Sequence, residues 1–321
     1  MTYKGGKNEI MPKIGGQHSI YYSRFNFWRC ILSVLITIIL FNCSKENDNG
    51  GPLKPIETVG ERAPVFSPDG EFVAYGSYSL GGIWLFEIAT EESEYLTGGG
   101  SPDWSPDGKE IVYGSGRNIY KINVETKESK QLTTEGFFPD WSPNNEYIVF
   151  SINAGDSAGL YIMDSSGNNM HSVGDWGWIE PDWHPQGSML TFIGWIDNKG
   201  GVCIVDTNGD NAHLIFEGGD SPVFSPDGSK IAYVCESCTS YNIWVMDTNG
   251  NNKTQLTFER EASACWDPGW SPDGTQIVYV LAERIEKKDV IEYHYHLWIM
   301  DADGENKNQL TGKEAKTFGC K

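Results

Sequence analysis

Between residues 58 and 311 the chain alternates short apolar runs with polar, glycine-bearing breaks, and no run carries an amphipathic helical period of useful length. The runs come in pairs. A first set reads Glu71-Phe-Val-Ala-Tyr75, Glu110-Ile-Val-Tyr113 and Lys230-Ile-Ala-Tyr233; a second reads Ile83-Trp-Leu-Phe86, Leu160-Tyr-Ile-Met163, Ile243-Trp-Val-Met246 and Leu297-Trp-Ile-Met300. Four to five residues, rich in Ile, Val, Tyr and Trp, is strand length and strand composition.

Each first run follows an aromatic residue and a Ser-Pro-Asp-Gly tetrad or a relative of it. Taking Pro68, Pro106, Pro143, Pro185, Pro226 and Pro272 as markers, the copies are spaced by 38, 37, 42, 41 and 46 residues. Pro fixes φ for the second position of a β-turn, Asp suits the third, and Gly tolerates the positive φ that leads into the next strand. Each tetrad is therefore a turn between an innermost strand a and a strand b. Strand c follows, then a second turn (Asp164-Ser-Ser-Gly167, Asp206-Thr-Asn-Gly209, Asp247-Thr-Asn-Gly250, Asp301-Ala-Asp-Gly304), then an outer strand d ending in Leu-Thr, as at Leu96-Thr97 and Leu256-Thr257. A period near 40 with four strands per copy predicts an all-β, six-bladed propeller with four antiparallel strands per blade. Either Pro55-Ile-Glu-Thr-Val59 or Asn308-Gln-Leu-Thr311 can supply the outer strand of the last blade, and the pattern leaves both open.

The N-terminus belongs to a different category. Basic residues Lys4, Lys7, Lys13, Arg24 and Arg29 precede the apolar run Ile31–Phe41, and Cys43 follows. About eleven apolar residues fall short of the roughly twenty that span a bilayer, so the layout reads as a lipoprotein signal peptide with Cys43 as the lipidated residue. The expected division is a signal at 1–43, a polar tether at 44–57, the propeller at 58–311 and a tail at 312–321. Export follows, with a lipid anchor in the outer membrane and the domain either periplasmic or surface-exposed.

The formal charge is −20, and loss of residues 1–43 removes five basic side chains and only Glu9, which makes the remainder more acidic. Nucleic acid and anionic lipid headgroups are poor partners for such a surface. Cys203, Cys235, Cys238, Cys265 and Cys320 lie beyond Cys43. Cys235-Glu-Ser-Cys238 is read as a local disulfide staple rather than a redox pair, because no βαβ context accompanies it.

The repeated Trp-Ser-Pro-Asp-Gly, followed by Ile-Trp-Val-Met-Asp and Gln-Leu-Thr, resembles the WD40-like propeller repeat of the TolB family, over roughly residues 58–311. That resemblance implies a propeller in the cell envelope of the Tol-Pal type. TolB proteins carry a further α/β domain ahead of the propeller and no lipid anchor, so the likeness is to the propeller half.

Function is sought where the repeat is broken. Asp103, Asp140 and Asp182 sit between Pro and the aromatic residue at strand a of three successive repeats, where the others carry Val65, Val223 and Gly269. Such an arc at the channel mouth suits Ca²⁺ or a Lys or Arg side chain of a partner, with backbone hydrogen bonding as the structural alternative. Trp176 and Trp178 lie off-pattern in the loop Gly174–Glu180, as do Trp195 and Trp266, and suit a protein hot spot or sugar stacking. His294 and His296, at i and i+2 beside Glu292, form a weak half of a metal site. The expectation is a monomeric, non-enzymatic, protein-binding scaffold with an envelope partner. Its alternative is a carbohydrate-binding or metal-dependent polysaccharide-lyase propeller, since that lyase scaffold resembles the same repeat; neither a G-x-S-x-G elbow nor three clustered histidines occurs.

Overall fold

The computed structural model describes residues 56–153, 158–174, 179–237, 240–260, 262–287 and 290–312. Cys43, the signal and nearly all of the tether, Trp176, Trp178, Cys238 and the tail beyond residue 312 lie outside the described residues.

Four consecutive repeats fold as discrete four-stranded antiparallel blades. They comprise β5 (Gly100–Trp104), β6 (Glu110–Ser115), β7 (Asn118–Asn123) and β8 (Ser129–Gln131); β9 (Phe137–Trp141), β10 (Tyr147–Ile152), β11 (Gly159–Asp164) and β12 (His171–Gly174); β13 (Ile179–Trp183), β14 (Met189–Ile196), β15 (Lys199–Asp206) and β16 (His213–Glu217); and β17 (Asp220–Phe224), β18 (Lys230–Ser237), β19 (Ser240–Asp247) and β20 (Thr254–Gln255). The first repeat supplies β1 (Ile56–Phe66), β2 (Phe72–Ser77), β3 (Ile83–Glu87) and β4 (Glu92–Thr97), and the last supplies β21 (Ser263–Trp270), β22 (Gln276–Glu286), β23 (Ile291–Asp301) and β24 (Asn308–Gln309).

These last eight strands correct the expectation of six separate four-stranded blades: four blades are discrete, and the terminal repeats are fused into one eight-stranded sheet. The cause is β1, which is eleven residues long and serves two partners. Ile56–Gly60 pairs parallel to Ile291–Tyr295 of β23, and Glu61–Phe66 then pairs antiparallel to β2. The other terminal candidate is also used, because Asn308 and Gln309 pair with Ile299 and Trp298 further along β23. Gly60 is the hinge, at φ +131° and so close to Tyr295 that an added Cβ would lie 2.0 Å from its carbonyl oxygen.

The tetrads form the expected turns. In the first, the Gly70 N–H donates to the Ser67 carbonyl at 2.9 Å, the Ser67 hydroxyl donates to Asp69 Oδ1 at 2.5 Å, and the Glu71 N–H donates to the same oxygen at 3.0 Å. These donors hold the Asp69 carboxyl below its usual range, and the same arrangement takes Asp227 and Asp273 down to about 2. Hydrophobic clusters join neighbouring sheets: Ala74, Ile83 and Leu85 pack with Trp104 and Ile111, and Val149 and Leu160 pack with Trp183 and Phe192. Radial contact of this kind lets short strands bury both faces.

Candidate functional site: an acidic channel lined by the inner strands

Six inner strands, β1, β5, β9, β13, β17 and β21, touch one another in succession and return to β1. Each carries a proline, and the residue before it is left-handed in every case: Ala63, Ser101, Phe138, Glu180, Ser221 and Asp267 have φ between 44° and 56°. Pairing with the adjacent strand shifts register at each of these places. A bulge re-aims side chains locally, and six equivalent bulges give the channel a lining that strict alternation does not predict.

The structure brings Asp103, Asp140 and Asp182 onto consecutive inner strands and gives each a bracing role. Asp103 Oδ2 accepts the Trp141 N–H at 2.7 Å, Asp140 Oδ2 accepts the Trp183 N–H at 2.8 Å, and Asp182 Oδ2 accepts the Phe224 N–H at 2.8 Å. Every one of these bonds crosses to the next sheet. Asp267 repeats the device two positions earlier in its strand, accepting the Ala63 N–H at 3.0 Å.

The three carboxyls remain electrostatically unsettled. Burial pushes Asp103 up to about 7 against the backbone N–H donors of Trp141 and Trp104, and pushes Asp182 up to about 8 with a contribution from Asp103. Asp140, between them, is raised well above its ordinary value by burial and by both neighbours, and it shares a hydrogen bond with Asp103. Like charges in a desolvated site are relieved by protons or by a cation.

Two residues that the sequence did not single out complete the lining. Glu180 is raised to about 8 by burial and by Asp220 and Asp267, and its Oε2 is buried without a hydrogen-bond partner. Arg62 faces this side of the channel. Burial disfavours its charge, but Asp267, Tyr78, Tyr295 and Glu180 outweigh that and keep it ionised. The guanidinium carbon lies 5.2 Å from the Tyr78 ring centroid and 5.9 Å from that of Tyr295. The available signal was its status as the basic residue of β1's inner-strand segment, although its partners lie far along the chain.

The other candidates separate. His294 Nε2 pairs with Glu292 at 2.6 Å, His296 Nδ1 lies 3.4 Å from Glu61, and the two imidazole centroids are 6.2 Å apart. They sit at the seam where β1 meets β23. Among the described residues no group of three or more His, Cys, Asp or Glu is arranged to hold a metal ion. Trp266 is buried against Tyr241, with ring centroids 4.4 Å apart, whereas Trp195 is exposed. Buried Cys203 and Cys265 form no disulfide, and burial raises both thiols to about 12.

Known proteins give this geometry a context. The Tol-Pal system protein TolB of Albidiferax ferrireducens is 36% identical over 76 residues, which is 24% of this chain and 16% of that protein's length. A TolB-designated structure from Agrobacterium tumefaciens superposes with a TM-score of 0.60 at 22% identity, covering 70% of this chain and 86% of that one. An oligogalacturonate lyase from Vibrio parahaemolyticus gives a TM-score of 0.52 at 17% identity, over 76% and 75% of the two chains. At such identities these two structures speak for the fold alone. The family described as the TolB beta propeller domain matches residues 61–273, two thirds of the sequence, and the chain belongs to that family.

Proposed function

We propose that the protein is an exported lipoprotein, anchored through Cys43 to the outer membrane, whose propeller binds an envelope protein by receiving a positively charged group at Asp103, Asp140 and Asp182. The observation that carries this reading is the imbalance within the channel. Each of the three carboxyls spends one oxygen bracing the next sheet, and the forces acting on them are burial, backbone donors and one another. A Lys or Arg side chain entering the arc would replace protons as the compensating charge, and it suits the arc better than Ca²⁺, for which no ligand group is assembled among the described residues. Asp103, Asp140 and Asp182 are each the penultimate residue of their strands, so the arc lies at the end of the inner strands next to the Ser-Pro and His-Pro turns.

The Tol-Pal name of the matched relative supports an envelope setting, and the basic-apolar-cysteine order at the N-terminus supports the anchor. The lyase alternative finds no favourable arrangement at His294 and His296, which are engaged with Glu292 and Glu61. Labelled palmitate should enter the wild-type protein and be absent from Cys43→Ala. Capture of an envelope partner should fall in Asp103/Asp140/Asp182→Asn without loss of folding. Full capture by that variant refutes the site.

A further inference from the structure

An antiparallel blade has two unlike faces. The a–b and c–d turns emerge on one, the b–c hairpins and the connections to the next blade on the other. The chain enters the fold from the hairpin face. Ile56 pairs with Ile291, beside the turn in which the Lys287 N–H donates to the Val290 carbonyl at 2.9 Å, and β1 then runs inward to Gly60 opposite Tyr295. This hairpin is also the longest. Seven residue pairs continue beyond Tyr279↔Trp298 in β22–β23, against two beyond Tyr113↔Tyr120 in β6–β7. At about 3.3 Å per residue the entry point stands roughly 16 Å further out than the shorter hairpin's end.

Twelve residues, 44–55, separate Cys43 from Ile56. Twelve residues reach at most about 43 Å when fully extended. A lipid on Cys43 would lie within that reach of Ile56.

Two properties of that face fit such a neighbour. Of the eight large apolar side chains most exposed among the described residues, five belong to hairpins or blade connections on this side: Tyr78, Leu80, Trp195, Phe258 and Ile285, with Leu80 63% and Phe258 67% exposed. Tyr147 and Met170 lie on the turn face and Tyr95 on an outer strand. Charge is divided in the same sense. The Ser-Pro-Asp-Gly and Asp-x-x-Gly turns each add an aspartate to the turn face, where Lys109, Lys127, Lys253 and Lys307 offset only part of the charge, whereas Arg117, Lys199, Arg284 and Lys287 on the hairpin side are paired with Glu135, Glu217, Glu286 and Glu292. An anionic lipid surface repels the first face more than the second.

We propose that the hairpin face is a lipid-contacting surface, held against the membrane by the short tether and seated by Leu80, Trp195, Phe258 and Ile285, so that the turn face and the Asp103–Asp140–Asp182 arc point away. This rests on lipidation at Cys43. Interfacial seating of Trp and aliphatic side chains beside a covalent lipid adds a second attachment.

The test uses full-length protein in a host that lipidates it, with the photo-crosslinker benzoylphenylalanine placed singly at Leu80, Phe258, Tyr147 or Met170. Tritiated palmitate reports the anchor, and radiophosphate-labelled phospholipid reports lipid adducts separately. In palmitate-labelled protein, phospholipid adducts at Leu80 and Phe258 should exceed those at Tyr147 and Met170 by about tenfold, as expected for side chains at the interface. Equal labelling of the two faces, or adducts at Leu80 and Phe258 with protein instead of lipid, overturns the inference while the anchor stands. Absence of palmitate from the wild type removes the anchor and the inference together.

Discussion

The two halves of the channel solve the same electrostatic problem differently. Around Glu180, Asp220 and Asp267 the fold supplies its own cation, Arg62, packed between Tyr78 and Tyr295. Around Asp103, Asp140 and Asp182 the relief comes from backbone donors and raised proton affinity. A half that carries its own counter-charge is compensated in part, although Glu180 is still raised to about 8 there. The other half has no basic side chain among the groups that shift its carboxyls, and on that contrast the proposed binding arc rests.

The largest effect is expected on the half that holds Arg62. Arg62→Met leaves Asp267 and Glu180 facing each other without a cation and should cost about 3 kcal/mol of stability in denaturant titration; a loss well below 1 kcal/mol would mean that protons compensate there as well as on the other side. Next comes the bracing role. Asp140→Ala leaves the Trp183 N–H without its acceptor and should cost about 1–3 kcal/mol, whereas Asp140→Asn keeps an oxygen in place and should cost less than about 1 kcal/mol at pH 6. Equal losses for the two would show that the carboxyl, and not merely an acceptor, holds the sheets together.

A smaller effect is the pH dependence. Carboxyls whose proton affinity rises on folding bind more protons in the folded state, so stability falls as pH climbs from about 4, their unfolded range, through the folded values of about 7 for Asp103 and about 8 for Asp182. The melting temperature should therefore decline from pH 5 to pH 9 in the wild type and decline less in Asp103/Asp140/Asp182→Asn. A parallel decline in both proteins would contradict the contrast. The turn carboxylates have the opposite sign: Asp227, held near 2, stabilises above pH 4 and loses its contribution on acidification, so Asp227→Asn should lower melting slightly at pH 7, make least difference near pH 2 and flatten the fall below pH 4.

The turns and most strands were legible because their causes are local. Pro68 and its counterparts fix turn geometry within four residues, and the runs after them have strand composition. Fusion of the terminal repeats was legible only as one of two options for the last blade, since the pairing of Ile56–Gly60 with Ile291–Tyr295, alongside that of Asn308 and Gln309, joins segments over two hundred residues apart. The inner-strand bulges run against local expectation: a residue before proline favours extended backbone, yet Ala63, Ser101 and Phe138 are left-handed. Asp103, Asp140 and Asp182 could be placed on inner strands from spacing alone. Their bonds to Trp141, Trp183 and Phe224, and the role of Arg62, depend on how neighbouring sheets meet.

The most direct test of the binding arc is quantitative affinity capture at pH 8 from the protein's own envelope, comparing wild type with Asp103/Asp140/Asp182→Asn at matched folded amounts. The account predicts that a specific envelope protein crosslinks to the wild-type turn face through a Lys or Arg side chain and that its recovery falls at least about tenfold in the variant, the scale of a lost charged contact. Recovery of the same protein in the same amount by both would contradict it and leave the three aspartates as braces between sheets.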